Sequence, residues 1–173
     1  MNAFRYILPF GLVFLFACNS PSPKKDGVDQ LIQSESGGGV RGIQIGDDWT
    51  VVRSREEQNV VYSMPDELIC RVPLNMKDST FYEISYNFGE DGLYIIDLNF
   101  FPSDEAQTQK LYKKFKTYYD SKYGKSSEDQ HFTAWYTSSS REKDLEISMT
   151  DESKEKGKPF LNITFFEKDG IAP

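Results

Sequence analysis

Between Phe81 and Phe101 apolar and polar side chains alternate, and that period of two leaves few folds open to the chain. Tyr82, Ile84, Tyr86 and Phe88 alternate with Glu83, Ser85 and Asn87. After Gly89-Glu90-Asp91-Gly92, rich in residues that tolerate positive φ, Tyr94, Ile96, Leu98 and Phe100 alternate with Ile95, Asp97 and Asn99. Successive side chains of a strand point to opposite faces, so the pattern predicts an antiparallel hairpin with one buried face.

Pro102-Ser103-Asp104-Glu105 then reads as a helix start, with Ser103 as N-cap and two acids at the positive end of the dipole. Leu111, Phe115, Tyr118 and Tyr119 fall at helical spacing on one stripe, and Gly124 is placed to end the helix as a left-handed residue. Three further strands are predicted over 132–137, 145–150 and 160–166, separated by polar turns and forming an antiparallel meander. Upstream, Trp49 to about Gln58 reads as a helix capped by Asp47, with Trp49 and Val52 inward; the competing reading is a strand over Trp49–Arg53. Short strands are expected near Val60–Tyr62 and Leu68–Val72. The fold class that follows is α+β: an antiparallel sheet with one or two helices packed on one face, a two-layer sandwich.

The first residues belong to a different kind of segment. Arg5 precedes an uncharged apolar run, Ile7 to Ala17, too short to span a bilayer, which needs about 20 residues. Its end, Leu15-Phe16-Ala17-Cys18, resembles the lipobox of bacterial lipoproteins, with a bulkier residue than usual at Phe16. The resemblance implies removal of 1–17 and attachment of acyl chains, palmitate among them, to Cys18, holding the chain at a membrane. Asn19 after the cysteine implies the outer membrane, facing the periplasm, and Lys24-Lys25-Asp26 is loosely like a surface-display signal. Residues 18–41 read as a lipidated cysteine and flexible tether with a span of about 25 Å, 42–168 as a single domain, and 169–173 as a C-terminal tail. The element order, with Ile43-Gln44-Ile45-Gly46-Asp47 before the first helix, resembles BamE-like (SmpA/OmlA) lipoproteins and the β-lactamase-inhibitor protein; no functional residue is carried over from either.

Composition excludes more than it suggests. A net charge of −7 without a basic stripe argues against nucleic acid and against anionic lipid headgroups as partners. With Cys18 acylated, Cys70 has no internal disulfide partner, and its apolar neighbours Leu68, Ile69 and Val72 mark it as a buried thiol. The single histidine, His131, excludes multi-histidine metal sites, and its neighbours Ser126, Ser127 and Asp129 lie in a hydrophilic loop ill suited to a triad. Glycine-rich phosphate loops, nucleophile elbows and calcium-loop spacings do not occur, and the many acidic pairs read as solvated charge. The sequence therefore predicts no catalytic residue, no metal and no cofactor.

What remains is a polar sheet face. If the alternation holds, Glu83, Ser85, Asn87, Asp97, Asn99, Thr133, Trp135, Thr137, Ser148, Asn162 and Thr164 share it, with Trp135 the natural anchor of a binding face. The expected function is a non-catalytic envelope module that binds a protein or cell-wall partner, or alternatively an inhibitor or immunity protein whose acidity suits a basic secreted enzyme.

Overall fold

In a computed structural model the described residues are 27–34, 39–75, 80–129, 132–138 and 144–168. Cys18, His131, residues 1–17 and the tail 169–173 lie outside them. The predicted α+β sandwich is observed. Eight strands, β1 (Val60–Ser63), β2 (Glu67–Asn75), β3 (Thr80–Gly89), β4 (Gly92–Phe100), β5 (Ser127–Glu128), β6 (Thr133–Ser138), β7 (Asp144–Asp151) and β8 (Leu161–Glu167), form one antiparallel sheet. Their order is β1-β2-β3-β4-β8-β7-β6-β5. The helices are α1 (Gly27–Ser34), α2 (Trp49–Arg55), α3 (Glu105–Tyr123) and the single turn α4 (Ser153–Lys156).

The order is two meanders joined by α3 and closed by pairing β4 with β8. α3 has 19 residues, about 28 Å at 1.5 Å per residue, enough to carry the chain over the roughly 19 Å between β4 and β5. The three predicted strands do form a meander, but it returns toward β4 instead of extending an edge. Pro73 is tolerated inside β2 because β1 pairs only with Leu68 to Cys70. The Arg71 N–H points to the β1 side, where it donates to the Asn59 carbonyl. Two residues on, the missing N–H of Pro73 faces no strand.

Alternating residues of six strands meet the helices in one core: Leu68, Cys70, Tyr82, Ile84, Tyr86, Ile96, Leu98, Phe100, Trp135, Ile147, Met149, Ile163 and Phe165 are buried on the sheet side. Phe115 and Tyr119 enter from α3, Val52 from α2, and Val28 and Leu31 from α1. Each fully buried Phe or Leu contributes about 1.5–3 kcal/mol of transfer free energy. A bulge between Asn87 and Phe88 pairs Phe88 with Leu93, so Leu93 is buried and Tyr94, expected inward, is exposed.

Several local expectations are corrected. The segment taken as tether contains α1, whose Val28 and Leu31 reach the core. Gly27 lets this happen, since a Cβ there would collide with the backbone of Leu74. Residues 39–41 are likewise part of the folded body: Gly39 and Val40 are buried, and Val40 bridges to Ile43. The disputed segment is helical, as preferred, but Asp48 occupies its cap position, while the Asp47 carboxylate accepts the Gln44 N–H at 2.9 Å. Asp104, not Ser103, caps α3 by accepting the Gln107 N–H at 2.8 Å. Gly124 ends it with φ +90° but ψ −173°, so it turns the chain outward in an extended conformation, not a left-handed helical one.

Candidate functional site

Cross-strand partners share a face, so the register fixes which side chains line the uncovered side of the sheet. One row runs across all eight strands: Tyr62, Ile69, Ser85, Asp97, Thr164, Ser148, Ala134 and Ser127. A second holds Arg71, Glu83, Asn99, Asn162 and Thr150. A third holds Glu67, Asn87, Ile95, Phe166, Glu146 and Tyr136. From β3 to β5 the middle row consists of short side chains, Ser85, Asp97, Thr164, Ser148, Ala134 and Ser127.

Of the predicted face residues, Asn99, Ser148, Asn162 and Thr164 are there, with Glu83, Ser85, Asn87 and Asp97. Four of them, Asp97, Asn99, Asn162 and Thr164, form a connected ladder: Asn162 Nδ2 donates to Asn99 Oδ1 at 3.1 Å. The Thr164 hydroxyl lies 2.7 Å from Asp97 Oδ1 and 2.9 Å from Asn162 Oδ1. Burial raises the Asp97 carboxyl above its ordinary value, opposed by the hydrogen bonds from Thr164 and Asn162, with the Glu152 charge adding to the rise. Arg71 pairs with Glu83 at 2.6 Å, an exposed contact of little energetic weight.

Trp135, Thr133 and Thr137 are not on this face. They pair with Ile147, Met149 and Leu145, all buried, and Trp135 is 1% exposed. β6 reads Thr-Ala-Trp-Tyr-Thr-Ser, and which alternate set turns inward depends on its register with β7. The inward set carries two threonines, so polarity alone misassigns it.

Trp135 instead organises the junction of α3 with the sheet. Its ring packs 5.0 Å from that of Tyr119, and its indole N–H donates to Asp120 at 2.9 Å. The Asp120 carboxylate also accepts from Lys116 at 2.8 Å and from the Ser126 amide at 3.2 Å. Lys116 bridges on to Glu128 at 3.0 Å. Hydrogen bonding from Lys116 dominates in pulling the Asp120 carboxyl down to about 2, with partial burial opposing and Trp135 and Ser126 assisting.

The folded value lies below the ordinary 3.8, so Asp120 stabilises the fold above that ordinary value and the contribution fades as pH falls toward about 2. Asp120→Asn should therefore flatten the loss of stability between about pH 4 and pH 2. Urea midpoints measured across that interval check it; parallel acid limbs for both proteins would contradict this role.

A second cluster is buried. Glu56, 1% exposed, accepts from Arg41 at 2.7 Å, from Asn59 at 2.7 Å and from the Tyr86 hydroxyl at 3.0 Å. Burial works against the Arg41 charge, but the hydrogen bond and charge of Glu56 hold its pKa above the ordinary value. Burial pushes the Cys70 thiol and the Tyr82 hydroxyl each up to about 12, and holds the Tyr86 hydroxyl well above its ordinary value. Neither the thiol nor the two phenols is near a pKa suited to proton transfer at neutral pH. Cys70 is buried and free, an inert core thiol. Arg41 has φ +55°, so its backbone is held in the left-handed region where the ion pair forms. The cluster pins the stretch preceding α2 onto β3 and is structural.

One cleft of about 240 Å³ lies between α3 and the start of β6, lined by Gln109, Tyr112, Glu128, Asp129, Phe132, Thr133, Met149 and Asp151. Its Asp151 carboxylate is occupied by Gln109 at 3.0 Å and by Ser153. Tyr112 and Thr133 hydrogen-bond across its wall. No group of three potential metal ligands converges among the described residues.

Comparison with known protein families, with characterised proteins and with solved structures finds no match to this chain. Function must therefore be argued from the geometry. Three helices lie against one face of the sheet, and the other carries a row of amide, hydroxyl and carboxylate groups.

Proposed function

We propose that this protein is a lipid-anchored module of the bacterial cell envelope, attached to the outer membrane through Cys18, whose uncovered sheet face binds a protein or cell-wall partner without catalysing a reaction. The observation that supports it most is the one-sided cover: α1, α2 and α3 all contribute to a single core, while the hydrogen-bonded Asp97, Asn99, Asn162 and Thr164, with Ser148 beside Thr164, face away from it. Amide and hydroxyl groups that bond along a rigid sheet are preorganised to exchange hydrogen bonds with a partner's polar groups. Anchoring rests on Leu15-Phe16-Ala17-Cys18. Two or more acyl chains hold a protein stably, where one does so marginally. From Cys18 only eight residues precede Gly27, at most about 3.5 Å each, so α1 starts within roughly 30 Å of the acylated residue.

Fractionation separates the two halves of this reading. Cys18→Ser should move the protein from membrane to soluble fractions, and continued sedimentation with membranes refutes the anchor. Independently, Ser148→Lys should lose partners that co-purify from detergent-solubilised envelopes, whereas Ser121→Lys on the exposed side of α3 should keep them. Identical partners in both variants refute the binding face.

A further inference from the structure

Four of the seven large apolar side chains that are exposed among the described residues belong to one short stretch of chain: Val51 on α2, Val61 and Tyr62 on β1, and Met64 just after it. Trp49 joins them, since its half-buried indole donates to the Met64 carbonyl at 3.0 Å. Scattered exposed apolar residues need no explanation, but clustered ones mark contact surfaces. Their position sharpens the point. β1 is an outer strand of the sheet, and natural edges are blunted by short length, bulges, lysine, proline or an inward charge. β1, Val-Val-Tyr-Ser, has no lysine, proline or inward charge and is limited only by its length and by one irregularity between Val60 and Tyr62. Tyr62 also heads the middle row of the uncovered face, so edge and face are continuous.

The charge around this stretch selects the occupant. Asp48, Glu57 and Asp66 are exposed and Glu67 is half-buried. Of the nearby cations, Arg41 is neutralised by Glu56, leaving Arg53 and the exposed Arg55, which donates to the Gly42 carbonyl, against these four acids. A second copy pairing β1 against β1 would set Glu57 of each against Asp66 and Glu67 of the other, which like-charge repulsion disfavours. An anionic lipid surface is disfavoured on the same ground.

We propose that the α2–β1 edge docks an extended, apolar segment of a partner polypeptide that carries basic residues at its ends. The proposal rests on the reading of the domain as a binding module and names the chemistry of its partner. Apolar side chains of the segment cover Val61, Tyr62 and Met64, and its cations sit by Glu57 at one end and Asp66 and Glu67 at the other.

The test uses the full-length chain and two labelled peptides, each alternating valine and threonine, one flanked by paired lysines and one by paired glutamates. Fluorescence anisotropy should show saturable binding of the lysine-flanked peptide, weakened at least about tenfold in the variant carrying Val61→Ser, Tyr62→Ser and Met64→Ser, and weakened by added salt. An unchanged melting temperature in that variant shows that it is folded. The proposal is overturned if the lysine-flanked peptide fails to bind, if both peptides bind alike, or if the triple variant binds as well as wild type. It is equally overturned if the triple variant abolishes a concentration-dependent dimer, which assigns the edge to a second copy, or abolishes binding to phospholipid vesicles, which assigns it to lipid. Binding in solution does not involve Cys18, so loss of the anchor would leave this result untouched.

Discussion

Glu56→Ala should lower stability by about 3 kcal/mol, the low end of the cost of breaking a buried pair because the Arg41 cation left behind is only partly buried, and so lower the melting temperature by on the order of 10 °C. Three partners are orphaned together: the Arg41 guanidinium, the Tyr86 hydroxyl and the Asn59 amide all converge on this one carboxylate. The worth of the ion pair itself is smaller than the cost of breaking it, because desolvation of both groups offsets much of their attraction. Combining Glu56→Gln with Arg41→Met should therefore recover a substantial part of the loss, since the Gln oxygen still accepts from Tyr86, its NH2 can donate to a turned Asn59 amide oxygen, and the charge pair is gone. Thermal and urea unfolding of wild type, single and double variants read this directly. A double variant no better than Glu56→Ala would show that packing, not the unpaired charge, sets the cost.

Trp135→Ala should be about as damaging, costing about 3–5 kcal/mol for a buried aromatic cut back to a methyl group. The ring fills space against Tyr119, and its N–H is one of the donors that settle Asp120. Trp135→Phe should keep most of the packing and lose the hydrogen bond, for a smaller cost of about 1–2 kcal/mol. Calorimetric melting of the two variants separates packing from polarity. If Trp135→Ala melts with wild type, Trp135 does not serve the core. The distinction matters for function as well. Had Trp135 been the anchor of a binding face, its removal would have spared the fold and cost only the partner; placed in the core, it says nothing about partners.

The polar sheet face and the α2–β1 edge differ in how far the sequence discloses them. Asn99, Ser148, Asn162 and Thr164 are legible because each lies in a run whose alternate residues are strongly apolar, so their side of the sheet follows from their neighbours. β6 has no such contrast, and its two threonines and one alanine distribute themselves by register alone. The α2–β1 edge is harder still. Val60, Val61 and Tyr62 look like any buried strand, and only the strand order leaves them at the outside.

The local sequence by itself determined the elements: the hairpin of β3 and β4, the helix α3 with its aromatic stripe, the later strands, and hence an α+β sandwich with one apolar face. These depend on side-chain period and on turn and cap residues, which act between near neighbours. The tertiary structure decided the rest. α1 is helical because Val28 and Leu31 find a core to enter, not because its short polar sequence favours helix. The placement of β8 beside β4, the inward turn of Trp135, and the convergence of Arg41, Asn59 and Tyr86 on Glu56 all depend on contacts between residues distant in the chain. Such contacts are selected by the joint burial of many side chains, and no local pattern records which partners will meet.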